Sequence, residues 1–487
     1  MAVDLVVVDE PPDWVPRMIL RVAAGLLLAT STAMWAQNLV IEGDDFQSWD
    51  HPRGLVNVLP HGVQVKRFGK TFNAVANAGE FSSSIIGQHG VRPVRAPSNQ
   101  AQADLVADQN VETRWQPDPA DPTQQWWVDV DLGRAVVADK IRVIFPDTVG
   151  ARPFRFFTVH TSPGIRVFGT DDALVFNQLG RPVNNNRSRI VEFDLQTTNV
   201  PLATGDHLDP GSTLDFEFVR FVRFRAEGRT PDAALAEIEV DGVGFNLSTR
   251  VAIDARAEAG EPHWGGRTWS SKSRDCVGCG KSSSADPLLD QDLAFRTWAI
   301  QATDAGNWRD SGHWGVVDFG SRYRVDRIVW LPVVYTNARI RYGFERYARS
   351  HWHELDLLTS DGTPDSQADP EVEGPFLYHM LSSIDNHCCD RGVFDFQFPT
   401  RDMRLLLWRQ RSVYRGTADV LQIFAFHAEG YPAAVELESP DISLGGARTI
   451  RRVEWDAELP QGTRIEVETQ TGDGFQSPGT SSRMAKR

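Results

Sequence analysis

Asp108, Asn110 and Thr113 sit within six residues of one another, and each side chain ends in oxygen. Hard oxygen donors gathered by a tight loop suit Ca2+, which takes carboxylate, carbonyl and hydroxyl ligands in flexible geometry. The same residues also suit a plainer task, in which Asp and Thr cap the turn through bonds to nearby backbone. Asp290, Asp292 and Thr297 make a second set of the same kind. Four cysteines, Cys276, Cys279, Cys388 and Cys389, form a Cys-x-x-Cys and an adjacent pair. They fit cross-linking disulfides in an exported protein, a four-thiolate zinc site, or free thiols.

Tyr335, Asn337, Arg339, Arg341, Tyr342, Arg346 and Tyr347 crowd one short segment. Ring faces meet the apolar C–H surfaces of sugars and planar donors meet hydroxyls, which makes this a candidate glycan site. The arginines would equally take an anionic ligand. The alternative is a short amphipathic helix closing the end of a barrel. His351 and His353 would share one face of a strand, as a zinc pair does, but no third ligand can be assigned. No Gly-x-Ser-x-Gly, phosphate-cradling loop or His-Glu-x-x-His occurs, and spacing pairs no carboxylates for acid–base work. Nothing in the motifs asks for an enzyme.

The elements that hold these groups are expected to be strands. Fifteen Trp and 26 Phe beside 39 Gly and 28 Pro favour short strands and turns over helices. A hydrophobic fraction of 41% excludes disorder and can fill real cores. The 487 residues predict two or three domains. With 65 acidic against 50 basic residues and a net charge of −15, general nucleic-acid binding is excluded as a class. No apolar run reaches the ~18 residues of a membrane span. Residues 1–36 resemble an export signal: an acidic opening, then Met18 as the true start, Arg21, an apolar stretch over 22–29, and small residues leading to Ala33 or Ala36. A buried apolar strand or helix is the plainer alternative.

Internal similarity organises the rest. Trp127-Val-Asp-Val-Asp-Leu-Gly133 recurs as Trp314-Gly-Val-Val-Asp-Phe-Gly320, and Asp139–Val143 recurs as Asp326–Trp330. Asp108–Trp115 answers to Asp290–Trp298, Ala78-Gly-Glu80 to Ala259-Gly-Glu261, and Leu235–Gly242 to Leu421–Ala428. Each block is short and rich in β-branched and aromatic residues. Period-two alternation puts Ile141, Val143, Val222, Phe224, Ile238 and Val240 on a core face. Trp115, Trp127, Trp298 and Trp314, at repeated positions, are expected to be packing residues. Val435–Glu438, Thr449–Trp455 and Arg464–Thr469 predict three further strands.

The block order resembles a discoidin domain, also called a coagulation-factor type C domain and similar to family 32 carbohydrate-binding modules. The resemblance covers about 80–245 well and 260–430 more loosely. It implies tandem jelly-roll β-sandwiches of the galactose-binding type, hence an all-β fold class, and a non-catalytic protein that binds glycans. It also implies a structural Ca2+ held by Asp108, Thr113, Glu237 and loop carbonyls, with Glu237 starting the final strand beside the loop. In the second copy Gln422 stands where the family prefers Glu, which weakens the site at Asp290, Asp292 and Thr297.

The sequence thus predicts a signal region at 1–36, discoidin-like domains at 37–246 and 247–432, and a partial β-domain with a tail at 433–487. The expected protein is secreted, periplasmic or on the cell surface, and binds a glycan or polysaccharide. Alternatives are the targeting arm of a polysaccharide-degrading enzyme, or a surface scaffold that grips a protein partner.

Overall fold

The computed structural model describes residues 2–8, 18–25, 37–51, 55–76, 78–79, 93–164, 174, 176–198, 213–248, 267–270, 289, 291, 293, 298–301, 314–332, 351–367, 376–385, 393–414, 417–443, 449–459 and 463–470. The chain opens with strands β1 (Ala2–Val8), β2 (Met18–Gly25), β3 (Gln37–Ile41), β4 (Val56–Leu59) and β5 (Gly62–Val65). There follow β6 (Thr71–Asn73), β7 (Val94–Arg95), β8 (Trp127–Ile144), β9 (Phe156–Ser162), β10 (Asn177–Gln178), β11 (Val183–Asn184) and β12 (Ile190–Asp194). Next come β13 (Thr197–Thr198), β14 (Thr213–Leu214), β15 (Glu217–Ala226), β16 (Glu237–Val243) and β17 (Phe245–Asn246). The later strands are β18 (Arg267–Ser270), β19 (Trp298–Gln301), β20 (Trp314–Pro332), β21 (His351–Ser360), β22 (His379–Asp385), β23 (Phe394–Tyr414) and β24 (Thr417–His427). Finally there are β25 (Ala434–Glu438), β26 (Thr449–Ala457) and β27 (Arg464–Gln470). The named helices are short 3-10 segments. The fold is all-β, built of antiparallel sheets as expected.

Contacts divide the chain into two units, residues 1–67 with 321–323 and 430–487, and residues 68–320 with 324–429. In the first unit β1 lies between β25 and β27. Strand β2 pairs with β26 along one edge and with β3 and β5 along the other. Ile41, Phe46, Trp49, Leu55, Val435 and Leu437 are buried here. The three strands expected after residue 433 are present, and the start of the chain completes them. The apolar stretch after Met18, expected as part of an export signal, forms a strand in this structure. Its run of Ile, Leu and Val serves a sheet as well as it serves a signal.

Beside the small β13-β14 pair, the second unit holds two large sheets with one plan. The first runs β6-β16-β8-β15-β9-β10 and the second β17-β24-β20-β23-β21-β22. Strand β7 adds to β8 as β18 adds to β20. The expected boundary at 246/247 falls inside this unit. Around the first sheet, Trp115, Trp126, Phe145, Phe154, Phe157 and Phe224 pack with Ile141, Val143, Val222, Ile238 and Val240 in one core. The alternation expected of those strands is therefore met. Trp314 packs with Val316, Leu405 and Leu407 in the second.

One tryptophan departs from expectation. Trp126 is in the core at 4% exposure, whereas Trp127 points to the other face of β8, where the Arg223 guanidinium lies 4.8 Å from its ring centroid. Arg223 is fixed there by Asp129 at 2.6 and 2.7 Å, and the Phe176 ring lies on it at 4.1 Å. Trp126 closes the short helix before β8 and Trp127 opens the strand, and the core took the first of the pair.

Candidate functional site

The loop after the helix Gln100–Ala107 turns because Gln109 adopts a left-handed φ of 62°. Asn110 N–H donates to Asp108 Oδ1 at 2.9 Å and to Glu237 Oε1 at 2.9 Å, so the loop is tied to the first residue of β16. Reciprocal backbone bonds between Trp115 and Leu235, at 2.8 and 2.9 Å, fix that approach. The indole N–H of Trp115, fully buried, donates to the Ser98 carbonyl and anchors the far end of the loop. The structure thus brings Asp108, Asn110, Thr113 and Glu237 together, as the sequence predicted.

The oxygens crowd. Around Thr113 Oγ1 lie Asp108 Oδ1 at 2.9 Å, Asp108 Oδ2 at 2.8 Å and the Asn110 carbonyl at 2.7 Å. One hydroxyl proton can serve only one of these acceptors at a time. Glu237 is 1% exposed, and burial together with a hydrogen bond to the Asp108 carboxyl pushes its pKa up to about 8. Glu237 is buried while Asp108 reaches the surface, so a cation bound between the two could be reached from solvent and would favour the charged form of Glu237. Among the described residues no three His, Cys, Asp or Glu gather as a metal cluster. The donor set is therefore two carboxylates, a hydroxyl and loop oxygens. That set fits Ca2+ and does not suit zinc.

The counterpart loop beside the second sheet keeps the turn and meets an amide where the first meets Glu237. Gln291 has a φ of 51°, and its N–H donates to Gln422 Oε1 at 3.0 Å. In the strand register Glu237 faces Ile144 and Gln422 faces Leu331, so Gln422 occupies the place of Glu237. Asp290, Asp292 and Thr297 lie outside the described residues. So do Tyr335, Asn337, Arg339, Arg341, Tyr342, Arg346 and Tyr347, and the four cysteines Cys276, Cys279, Cys388 and Cys389. His351 and His353 fall on the backbone of β21, as the strand alternative had it.

A second repeated device escaped the sequence reading. Asp131 Oδ1 accepts from Gly133 N–H at 2.8 Å and from Arg220 Nε at 3.2 Å. Asp318 Oδ1 likewise accepts from Gly320 N–H at 2.9 Å and from Arg404 Nε at 3.0 Å. Both glycines are left-handed, at φ 72° and 81°. Ser162 and Ser360 hydroxyls cap Gly164 and Gly362, whose backbones lie close under Arg220 and Arg404. The signal was present as Ser-x-Gly at 162–164 and 360–362 and as Arg220 and Arg404, between the blocks that were matched.

No family model matches the chain, and no curated protein matches it. Solved structures do. A fucolectin from the serum of Morone saxatilis (striped bass) is 13% identical, with 71% of this chain and 98% of that chain covered and a TM-score of 0.25. The CBM32-1 and CBM32-2 domains of Clostridium perfringens ZmpB, in complex with GalNAc, are 10% identical over 69% of this chain and 89% of that one, at a TM-score of 0.21. The family 32 module of C. perfringens NanJ, in complex with galactose, is 16% identical over 30% of this chain and 91% of that one, at a TM-score of 0.22.

Proposed function

We propose that this is a non-catalytic, exported carbohydrate-binding protein built on two discoidin-like copies, the first of which holds a structural Ca2+. What supports the reading is the knot at Asp108, Thr113 and Glu237, formed where the discoidin resemblance implies a cation. The identical strand order of the two sheets supports duplication. Asp108 and Glu237 would supply the charge, while Thr113 and loop carbonyls would complete the shell. Bound Ca2+ would neutralise the paired carboxylates and stiffen the loop end, where sandwich folds carry their ligands.

The test is a glycan array probed with the full chain, in Ca2+ and again in chelator, including galactose- and GalNAc-terminated glycans. Specific binding that weakens in chelator, and weakens again in Asp108→Ala, is the expected result. A blank array in both conditions from folded protein would refute the glycan reading and leave a protein-binding scaffold.

A further inference from the structure

The outer face of the first sheet carries chemistry that its counterpart lacks. Side chains alternate along β8, β9 and β15, so Trp127, Asp129, His160, Arg223 and Arg225 lie opposite the core residues Val128, Val130, Val159 and Phe224. In the strand register Arg223 stands between Asp129 and His160. The matching row of the second sheet is apolar. The offset of 187 puts Val316 in the place of Asp129. Aligning Ser162 with Ser360 and Arg220 with Arg404 puts Leu358 in the place of His160 and Leu407 in that of Arg223, and the register pairs these two leucines. Val316, Leu358 and Leu407 are buried in a cluster with Trp314 and Leu405, against which Phe376 and Tyr378 pack. In the first sheet the same row is polar and only half-buried.

The polar groups of this face are fixed yet open. Thr158 Oγ1 donates to Glu227 Oε1 at 2.9 Å, so it accepts from His160 Nε2, 3.0 Å away. That sets the tautomer and leaves Nδ1 as an acceptor with no partner among the described residues. Burial, with Arg223 and Arg225 nearby, holds the His160 pKa below its ordinary 6.5, so the ring is neutral at pH 7. The Trp127 indole N–H also has no partner among the described residues. Phe156, 38% exposed, adds a ring on the same face. Arg223 is paired with Asp129, and Arg225 with Glu227 at 3.7 Å, so the charges cancel.

We propose that the outer face of β8, β9 and β15 is a sugar-contact site, separate from the loop end, for an uncharged glycan longer than one ring. The inference rests on the glycan reading. The Arg223 guanidinium, fixed by Asp129 and in contact with the Trp127 and Phe176 rings, is ordered before any ligand arrives, which lowers the cost of binding. Trp127 and Phe156 offer ring surface to sugar C–H groups, His160 Nδ1 accepts from a hydroxyl, and the indole N–H donates to one. Strands β8 and β9 flank β15, so Trp127 and His160 stand about 10 Å apart, beyond a single pyranose. With each guanidinium already paired, an acidic sugar gains no counter-charge here. The counterpart row of Val316, Leu407 and Leu358 offers no polar side chain, so the duplicated sheets yield one such face.

The experiment is an array of neutral and sialylated glycans, probed with the full chain and with His160→Leu, which installs the residue type of the second sheet. Neutral oligosaccharides should bind the parent, and the variant should bind them at least tenfold more weakly at an unchanged melting temperature. If the variant melts lower, the histidine resonances of the parent chain decide: that of His160 should shift when the best-bound oligosaccharide is added. Undiminished binding in the variant, or a His160 resonance that stays in place, would overturn the sheet-face site and leave the glycan reading standing. Preference for sialylated chains would overturn it as well. A blank array from folded protein would refute both.

Discussion

The two sheets share a strand order and a turn built on Asp, Gly and Arg, yet they spend the same loop differently. In the first, Val111 is exposed, Asn110 N–H donates to Glu237 and the loop's oxygens gather about Thr113 Oγ1. In the second, Leu289, Gln291 and Leu293 are buried and the Gln291 backbone is bonded to Gln422 and Ala135. The lesson is that Glu237 in one place and Gln422 in the other give two similar turns different partners.

The same contrast governs stability, and its largest test is at the Asp-x-Gly turn. Arg220 has 7% of its side chain exposed and Arg404 38%. Asp131→Ala breaks a buried ion pair and should cost about 3–5 kcal/mol, whereas Asp318→Ala breaks a pair whose guanidinium already reaches water and should cost about 1 kcal/mol. Chemical denaturation of both variants measures the gap, and equal losses would break the comparison.

Gly164 and Gly362 offer a finer version. Their φ values of 92° and 94° strain any side chain, and an added Cβ would stand 2.8 Å from Arg220 Cδ but 3.2 Å from Arg404 Cδ. Each alanine variant should lose about 1–3 kcal/mol, with Gly164→Ala the worse. A ranking in the other order, read from melting curves, would show that Arg220 yields more easily than its burial implies.

A pH-dependent effect separates the sheets in acid. Burial pushes the His427 pKa down to about 4, whereas Gly242 holds the matching place in the first copy. A histidine held neutral in the fold contributes stability that is present above its ordinary 6.5 and is lost as pH falls through 4. His427→Phe, set against the neighbouring Phe68 ring at 4.5 Å, should flatten the stability loss between those values. An unchanged acid limb would remove His427 from the account.

Much of the fold was legible in short blocks, because period-two burial is local. Ile141, Val143, Ile238 and Val240 announce a core face wherever they occur, and the three strands after residue 433 follow the same rule. What was illegible depends on long-range pairing. The pairing of Met18–Gly25 with β3 and β26 is of this kind, because its composition serves a signal and a strand alike. Trp126 and Trp127 have equal claims on a core until the register chooses. The site itself was half legible: Asp108, Asn110 and Thr113 are neighbours in sequence, whereas Glu237 was placed by resemblance. The clasp of Ser162 and Arg220 spans 58 positions, so its only local trace is the Ser-x-Gly that recurs at 360–362.

The most direct test of the cation knot is the melting temperature of the full chain at pH 5 and pH 8, with chelator and with Ca2+, beside Glu237→Gln. A carboxyl raised from 4.5 to about 8 in the fold gives stability that is whole below 4.5 and is lost as pH rises through 8. The chelated chain should therefore melt several degrees lower at pH 8 than at pH 5, at roughly 2–4 °C per kcal/mol. Ca2+ should restore the loss at pH 8, and Glu237→Gln should show both a smaller pH slope and no calcium response. A parent chain whose melting at pH 8 ignores Ca2+ would contradict the account.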